Sequence, residues 1–484
     1  MNLMSTIYLT LIIGIFLIFL IQNKNILKKF ALILSITVLF QSAGLLFYFN
    51  KELFFFQEII CYKYSSKFLN FSYSFGLDGL SILFFFLSAF LIFLCILFVW
   101  NDPFFKNYVI NLFIMELFLL IIFSILDLFL FYFFFEAILI PMYLIMGLWG
   151  SRERKIRAAQ LLFFYTLCSS VLMLIGIIYI YTTVGTLNLI YLSNWNFNLN
   201  EQYFLWLCFF FSFASKVPMY PFHIWLPEAH VEAPTVGSVL LAGILLKLGV
   251  YGFLRFSIIL FPNASSFFLP IIQLLCVISI IHSSLNSIRQ TDLKRIIAYS
   301  SIAHMNLVIL GIFNFNTLGI EGAILQSISH GFVSGGLFFL IGMLYERYHT
   351  RYLYYYRGFV HTMPLFISFF LLFTFANIAV PGTSSFVGEF LLLISLFQTN
   401  TIICIISSLG VIFAGAYSLW LYNRMSFGNI QINNIHLYQD INSREFIILI
   451  SLLIFIIILG IYPSVFLDFL HSNTNFIVNH IYKN

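Results

Sequence analysis

Apolar residues occupy long stretches of this chain, and short polar or basic stretches separate them. A hydrocarbon layer about 30 Å thick needs about 20 residues of apolar helix to cross it. Fourteen stretches are about that long, at residues 6–22, 30–48, 79–100, 108–126, 128–150, 158–182, 203–230, 234–256, 267–286, 296–315, 319–345, 365–397, 402–422 and 446–469. The pattern predicts an all-α polytopic membrane protein with about fourteen transmembrane helices.

The composition excludes a soluble protein. Of the 484 residues, 62% are apolar, 20% are aromatic and only 8% are charged. A water-exposed surface needs far more charge than this. The formal net charge of +5 therefore belongs to the loops, and no basic cluster suited to nucleic acid is present.

Basic residues are distributed unevenly between the two sides of the predicted helices. Sixteen of the 23 lysines and arginines lie in loops after odd-numbered helices, and five lie on the other side. The remaining two, Lys216 and Lys247, are inside predicted helices. Because basic loops stay on the side where the chain is made, both termini are expected on the opposite, electrically positive side.

Motifs for electron transfer and nucleotide binding are missing from the sequence. The six cysteines are single and widely spaced, and neither a G-x-G-x-x-G fingerprint nor a phosphate-binding loop occurs. We therefore expect no cofactor in this chain, and no cleavable presequence, since the first apolar stretch lacks preceding basic residues. The many Phe, Ile, Asn, Tyr and Lys residues suggest an AT-rich gene and hence an organelle genome.

Six ionisable residues interrupt apolar stretches far from either end. A charge at the centre of a bilayer costs at least ~2.5 to 3.5 kcal/mol, so such residues usually belong to an ion or proton path. The histidines have a simpler alternative role as hydrogen-bonding groups between helices. The candidate site residues are Glu136, Lys216, Lys247, His304, His330 and Glu389.

Two predicted helices contain prolines beside these residues. The seventh reads KVPMYPFHIWLPEAHVEAP from Lys216. The twelfth contains the pair Pro381 and Gly382, and Gly382 lies seven residues before Glu389. Proline removes a backbone donor, and unpaired carbonyls at membrane depth must face protein or water. Each break alone is also compatible with a packing kink. Two breaks beside ionisable residues favour inverted repeats.

The predicted repeats divide the chain into four parts. Helices four to eight form the first repeat and helices nine to thirteen the second, with discontinuous helices 7 and 12. The corresponding ranges are 1–107 for the first three helices, 108–256 and 257–424 for the repeats, and 425–484 for helix fourteen and a tail.

Long segments resemble the antiporter-like membrane subunits of respiratory complex I. The similar strings are LDLFLFYFFFEAILIPMYLIMGLWG, FASKVPMYPFHIWLPEAHVEAPTVGSVLLAGILLKLGVYG, DLKRIIAYSSIAHMN, SISHGFVSGGLFFLIG and SSFVGEF. The resemblance extends from about residue 75 to residue 425. The first 70 residues and the tail after Arg424 carry no specific motif.

The resemblance implies roles for the six residues. Glu136 matches a glutamate that pairs with the broken-helix lysine, Lys216, and Lys247 matches a connecting lysine. His304 and His330 match histidines that link two half-channels, and Glu389 matches the group through which protons leave. Desolvation disfavours a charged lysine and a nearby carboxylate favours it, so movement of Glu136 relative to Lys216 would gate a proton.

The resemblance also implies a non-redox, proton-translocating subunit of NADH:ubiquinone reductase in the mitochondrial inner membrane, with both termini on the intermembrane-space side. NADH, FMN, iron-sulfur clusters and ubiquinone are then expected in partner subunits. Expected partners are neighbours similar to chains 2 and 5 of that complex, accessory subunits and lipids. The alternatives are a subunit of a cation/proton antiporter and a membrane anchor without transport.

Several polar residues remain open to more than one interpretation. Glu116 and Asp127 are either part of the path or structural partners of loop arginines. The loop Asp292–Arg295 is expected to be solvated or to contact another subunit. Four residues of the seventh-helix region either conduct protons or lie at an interface, namely His223, Glu228, His230 and Glu232.

Overall fold

The computed structural model describes residues 2–65, 70–429 and 439–483. Lys67, one of the basic residues counted above, lies outside the described residues, as do the side chains of Lys63 and Lys483. The first half contains one antiparallel hairpin among helices: α1 Leu3–Leu20, α2 Lys24–Tyr48, β1 Gln57–Ser65, β2 Asn70–Leu77, α3 Gly79–Phe98, α4 Phe105–Ser124, α5 Leu128–Ala137, α6 Leu139–Trp149, α7 Lys155–Val184, α8 Leu189–Leu192 and α9 Leu199–Lys216.

In the second half, all regular elements among the described residues are helices. Two π-helical segments, Leu241–Leu245 and Phe253–Ser257, lie between α11, α12 and α13. Its helices are α10 Trp225–Glu232, α11 Thr235–Leu240, α12 Leu246–Gly252, α13 Ile258–Leu260, α14 Pro262–Arg289, α15 Leu293–Ile312, α16 Thr317–Tyr348, α17 Phe359–Thr362, α18 Pro364–Ile378, α19 Ser384–Thr399, α20 Thr401–Ser426, α21 Ser443–Ile461 and α22 Ser464–Lys483.

Twelve helical stretches among the described residues are long and apolar enough to cross a membrane. The chain is therefore a helical, polytopic membrane protein. Four of these stretches are central, because nearly every residue of their most apolar part is buried inside the protein: Gly79–Asn101, Thr235–Leu260, Leu293–Ile312 and Thr317–Tyr348. The helix α16 packs against α15, α18, α19, α21 and α22, so it forms the axis of the second half.

Two pairs of shorter helices occupy the regions where the sequence predicted broken helices. The helix α9 ends at Lys216, and α10 begins at Trp225 after a segment that contains Pro218 and Pro221. The helix α18 ends at Ile378, and α19 begins at Ser384. Gly382 lies between them with φ of 95°, a left-handed conformation that glycine adopts without steric cost.

The C-terminal prediction is wrong in one respect. The predicted segment 446–469 is two helices, because α21 ends at Ile461 and α22 begins at Ser464. Pro463 accounts for the end, since proline disfavours helical conformation in the residue before it. The tail after it is the 20-residue helix α22, which packs against α3, α13 and α16.

The predicted segment 128–150 is likewise interrupted, at Ile138 between α5 and α6. Pro141 lies three residues later, and its missing N–H leaves the carbonyl of Ala137 without its helical donor. The interruption therefore falls directly beside Glu136.

Candidate functional site

Four of the six predicted residues form a row of contacts in the second half. Lys247 Nζ lies 2.9 Å from His330 Nδ1. The rings of His330 and His304 follow, with centroids 5.9 Å apart. His304 Nδ1 lies 2.9 Å from Glu389 Oε1. All four side chains are buried, so α12, α16, α15 and α19 bring their ionisable groups together away from the protein surface.

Lys247 reaches the row because of two local features of the backbone. It lies on α12 between the two π-helical segments, and its Nζ also donates to Ala242 O at 2.5 Å. Such π segments widen a helix locally and are frequent at functional sites. Gly331 lies beside the Gly243 carbonyl, where an added Cβ would be only 3.1 Å from that oxygen. The small residues let the two helices approach closely enough for Lys247 to contact His330.

Glu389 is held at the other end of the row. Gln326 Nε2 donates to Glu389 Oε1 at 3.0 Å, and Gly388 leaves room for that side chain, since a Cβ there would be 2.6 Å from Gln326 Oε1. A cavity of about 20 Å³ is lined by His304, Glu389 and Ser407. A single water needs roughly 10 to 15 Å³ of such space. His304 Nε2 is buried without a described partner, so one water fits beside the pair.

Glu136 and Lys216 form a separate pair of groups. Lys216 Nζ donates to Phe135 O at 2.8 Å and lies 3.7 Å from the centroid of the Phe135 ring. Neither carboxylate oxygen of Glu136 has a hydrogen-bond partner among the described residues, and the neighbouring Ser170 hydroxyl donates to Leu167 O. The expected Glu136–Lys216 ion pair is therefore not formed here. The backbone carbonyl one residue earlier takes its place.

Lys216 and Lys247 lie on helices that are in close contact. A Cβ added at Gly249, two residues after Lys247, would be 3.2 Å from the backbone nitrogen of Val217. Val217 directly follows Lys216. The contact between α9 and α12 therefore brings both lysines to one helix interface without a direct bond between their ammonium groups.

Asp127 and Glu116, the acidic residues with more than one interpretation above, have different surroundings in the structure. Asp127 caps α5, because its Oδ1 accepts from the backbone N–H groups of Phe129 and Leu130 at 3.0 Å each. Glu116 is fully buried in α4, and both its carboxylate oxygens lack a partner in the described part of the chain. Neither forms the expected ion pair with a loop arginine.

The residues of the α9–α10 region also differ from one another. Glu228 pairs with Arg295 at 2.7 Å near the surface, where both side chains are more than a third exposed. The His223 ring lies 5.2 Å from that of His282. His230 is fully buried and stacks on Phe338 with centroids 4.6 Å apart.

The expectation that the loop Asp292–Arg295 is solvated is wrong for Asp292 and Lys294, which are both buried, whereas Arg295 is partly exposed. Arg351 Nε lies 2.7 Å from Asp292 Oδ2, and Arg351 Nη2 donates to Glu232 Oε1 at 3.0 Å. All three side chains are buried. Burial raises the pKa of the Asp292 carboxyl even beside this guanidinium. The sequence carried a weak signal for the cluster, namely an arginine and two acids at helix ends on one side.

The contacts of two further buried acids were missed because their partners are distant in sequence. Arg255 Nη2 lies 2.6 Å from Asp78 Oδ1, so the arginine that was counted as a loop residue is buried inside the protein. Glu321 on α16 accepts from Thr474 Oγ1 at 3.0 Å and lies at the same distance from His471 Nδ1 on α22. Among the described residues, no three His, Cys, Asp or Glu side chains are placed to hold a metal ion.

Comparison with known proteins gives a consistent result. The family described as NADH:quinone oxidoreductase/Mrp antiporter, TM matches residues 126–415. NADH-ubiquinone oxidoreductase chain 4 of Chondrus crispus is 51% identical over 470 residues, which cover 96% of this chain and 95% of the relative. The protein named NADH-ubiquinone oxidoreductase chain 4 in Marchantia polymorpha is 52% identical over 413 residues, 85% of this chain and 83% of the relative.

Solved structures are similar over the whole chain. A chain of respiratory complex I from Thermus thermophilus with bound NADH superposes with a TM-score of 0.89 at 26% identity, covering 99% of both chains. A chain of the Mrp complex from Dietzia has a TM-score of 0.86 at 17% identity, covering 99% of this chain and all of that one. At that identity the second similarity shows the fold alone.

Proposed function

The chain belongs to the NADH:quinone oxidoreductase/Mrp antiporter family, and we propose that its proton path runs through the six ionisable residues described above. The chain is a proton-translocating membrane subunit of respiratory complex I. The observation that carries the proposed path is the row from Lys247 through His330 and His304 to Glu389, with hydrogen-bond distances at its two ends and the two imidazole rings 5.9 Å apart at its centre.

The chemistry of the row suits proton transfer. An imidazole accepts a proton at one ring nitrogen and releases another from its second nitrogen, so His330 and His304 pass charge without moving far. Lys247 supplies the proton at one end, and Glu389 accepts it at the other. The small cavity beside His304 and Glu389 has room for the water that carries the proton onward.

Lys216 and Glu136 act before the row in this proposal. The Lys216 ammonium is held by a backbone carbonyl rather than by a carboxylate. A shift of the Glu136 carboxylate towards the ammonium would favour its charged form, and a shift away would favour release of its proton. The breaks at Ile138 and after Lys216 place both groups beside backbone that is not regular helix.

Two pairs of short helices extend this proposal to the architecture. Counting α9 with α10 and α18 with α19 as discontinuous helices adds two spans to the twelve, which makes fourteen. We infer inverted repeats over residues 108–256 and 257–424. The seventh predicted helix, α9 with α10, and the twelfth, α18 with α19, are broken at corresponding positions in the two repeats. Residues 1–107 then precede the repeats, and 425–484 follow them.

The assignment to complex I carries further proposals. This chain has a non-redox role, and NADH, FMN, iron-sulfur clusters and ubiquinone bind to partner subunits. Neighbours similar to chains 2 and 5, together with accessory subunits and lipids, surround it in the mitochondrial inner membrane. Both termini face the intermembrane space, because the basic loops belong on the matrix side. A role in a cation/proton antiporter is less supported, because it rests on the family description and a fold similarity, whereas the relatives at about 50% identity are named NADH-ubiquinone oxidoreductase chain 4.

Replacement of Lys247 by Met tests the proposed path. Methionine keeps a similar length but carries no proton, so we expect the assembled complex to lose proton pumping while NADH oxidation by artificial acceptors is retained. The measurement is acidification in sealed membrane vesicles, with the level of assembled complex as the reference. Normal pumping by assembled Lys247→Met complex would overturn the proposal.

A further inference from the structure

We propose that Gln326 is a positioning residue for proton transfer, which turns one carboxylate oxygen of Glu389 towards His304 and leaves the other to the cavity beside them. This inference rests on the proposed function, because Glu389 is the last group of the row. Gln326 carries no proton along the path itself, since its amide stays neutral. Three observations carry the inference: the oxygen that Gln326 contacts, the packing that holds Gln326, and the side of Glu389 on which the cavity lies.

One oxygen of the Glu389 carboxylate takes both of its described contacts. Gln326 Nε2 donates to Oε1 at 3.0 Å, and His304 Nδ1 lies 2.9 Å from the same oxygen. A carboxylate only accepts hydrogen bonds, so the nitrogen of the Gln326 amide is the atom that faces it. The second oxygen, Oε2, accepts no hydrogen bond from a described residue. Gln326 and His304 together therefore fix the rotation of the carboxylate.

The cavity lies on a different side of the carboxylate from Gln326. Its lining residues belong to α14, α15, α19 and α20, whereas Gln326 lies on α16. His304 and Glu389 are both in the lining, and the space holds a single water. Because Oε1 is engaged by two donors, Oε2 is the oxygen left for that water.

The Gln326 side chain is itself held in place. The residue is buried, and Ser329 Oγ lies 3.1 Å from its Oε1. Gly388 of α19 faces it so closely that an added Cβ would be 2.9 Å from the Gln326 Cα. The absence of a side chain at residue 388 therefore allows α19 to approach α16 at this point, and the amide of Gln326 has little room to turn away from Glu389.

The helix α16 positions both neighbours of His304. Gln326 and His330 are four residues apart on it, so they lie on one face, about 6 Å apart along the axis at ~1.5 Å per residue. The His330 ring faces that of His304, with centroids 5.9 Å apart, and Gln326 orients Glu389 towards His304 Nδ1. One uninterrupted, buried helix thus places the group that supplies His304 and orients the group that His304 supplies.

The contact with Gln326 changes in strength during the transfer. The N–H bond at His304 Nδ1 breaks and an O–H bond forms at Glu389 Oε1, which makes the acid neutral. An N–H donor holds a charged oxygen roughly twice as strongly as a neutral one, so Gln326 then releases Oε1 more readily. Rotation of the acid turns its hydroxyl to the cavity and brings the other oxygen to Gln326. The hydroxyl gives its proton to the cavity water, and the regenerated carboxylate is held by Gln326 as before.

The first test removes the donor. Gln326→Met keeps a similar length but has no N–H group, so assembled complex should pump about five-fold more slowly or less, since a misplacement of about 1 Å can cost ~10²-fold in rate. Gln202→Met is the matched control and should pump normally, because Gln202 is also buried but its Nε2 donates to a backbone oxygen, Phe197 O, at 3.0 Å. Wild-type pumping by assembled Gln326→Met complex would overturn the inference.

The second test separates positioning from packing. If Gln326 acts through Glu389, adding Gln326→Met to Glu389→Gln should leave the pumping rate where Glu389→Gln alone places it. The same fractional loss in both backgrounds would show a purely structural role and overturn the inference. Where Gln326→Met does not assemble, Gly388→Ala replaces it, because the new methyl group would lie 2.6 Å from Gln326 Oε1 and displace the amide while both reacting groups remain.

The third test does not depend on pumping. The carbonyl stretch of protonated Glu389 is measured in infrared difference spectra of the assembled complex and is identified by its loss in Glu389→Gln. A carbonyl oxygen that loses a hydrogen bond absorbs at higher wavenumber. We therefore expect an upward shift in Gln326→Met and none in Gln202→Met. An unshifted band in Gln326→Met would show that the amide does not hold the carboxyl group, and the inference would fall.

The outcomes distinguish this inference from the proposed function. If Glu389→Gln slows pumping while Gln326→Met pumps at the wild-type rate, the positioning role is wrong and the row stands. If Glu389→Gln itself pumps normally, the end of the row is wrong and Gln326 has nothing to position. Slow pumping by both single variants, without further loss in the double variant and with a normal Gln202→Met control, supports both.

Discussion

Lys216 and Lys247 are both buried lysines at one helix interface, but their surroundings differ. Lys247 contacts His330, which stands beside His304, which contacts Glu389. The Lys216 ammonium donates to the backbone carbonyl of Phe135 on α5 and lies over its ring, and both carboxylate oxygens of Glu136 are without a hydrogen-bond partner among the described residues. Lys247 therefore has an imidazole beside it that can take its proton, whereas no side-chain proton acceptor contacts the Lys216 ammonium in the described part of the chain.

The difference suggests two kinds of site. Glu136 and Lys216 form a switch, whose groups must move before a proton can pass, and the row from Lys247 to Glu389 forms a wire, whose groups are already in contact. Groups that already touch can pass a proton by small reorientations, whereas groups that do not touch must first move. The movable groups stand beside interrupted backbone, at Ile138 and after Lys216. The histidines of the row stand on the long, uninterrupted helices α15 and α16. The following predictions test this division, beginning with the largest expected effect.

Lys216→Met should abolish proton pumping and slow coupled NADH oxidation, because methionine can neither take up nor release a proton at this position. Assembly should survive, since methionine fills similar space and the replaced charge is not part of an ion pair. The measurement is the initial rate of acidification per assembled complex. The exposed Lys24→Met variant serves as a control and should pump normally. Wild-type pumping by the Lys216→Met complex would show that Lys216 does not act as a switch for proton transfer.

Glu389→Gln should lower the number of protons pumped per electron several-fold, because the amide cannot accept the proton that arrives from His304. The amide can still accept a hydrogen bond from Gln326, so the local packing is retained. Simultaneous recording of proton release and NADH oxidation measures the ratio. Glu153→Gln changes an exposed loop glutamate and controls for loss of a carboxylate. An unchanged ratio would make Glu389 structural and place the outlet elsewhere.

Glu136→Gln should give a milder defect than Lys216→Met, roughly ten-fold or less, since the protein interior still holds the lysine and only one electrostatic influence on it is lost. Glu136→Asp keeps the charge and should restore part of the rate. The pumping rates of Glu136→Gln and Glu136→Asp complexes, measured side by side with that of Lys216→Met, check this order. Equal rates for the two variants would show that the charge of Glu136 does not gate Lys216.

The sequence predicted the membrane class and the positions of the ionisable residues because both depend on local patterns. A long apolar run predicts a helix wherever it occurs, and a lysine such as Lys247 within that run is visible without knowledge of its neighbours. Breaks at prolines were visible for the same reason near Lys216 and Pro381. Pro463 and Pro141 were exceptions, because the apolar run continues across each of them and only the proline itself indicates the interruption.

Contacts between distant segments were not predictable from one sequence. Nothing near Arg255 indicates Asp78, which lies 177 residues away, and nothing near Asp292 indicates Arg351. The absence of a Glu136–Lys216 ion pair depends on the exact rotation of α5 relative to α9. Such details follow from packing rather than from residue pattern, so the sequence predicted which ionisable residues lie within helices better than which residues they contact.

The smallest effect is expected for Glu228→Gln, another glutamate of the broken-helix region. Its carboxylate pairs with Arg295 at 2.7 Å, but both side chains are more than a third exposed. Water screens such pairs, which typically contribute only about 0 to 1 kcal/mol. Pumping should equal the wild-type rate, and the thermal midpoint of the assembled complex should hardly change. Glu232→Gln is the matched buried comparison, because its loss of charge beside Arg351 removes part of a desolvated network and should lower the thermal midpoint clearly. A different result, in which Glu228→Gln slows pumping and Glu232→Gln does not, would indicate that protons enter along the exposed face of α10. Glu228 would then belong to the proton path together with the switch and the row.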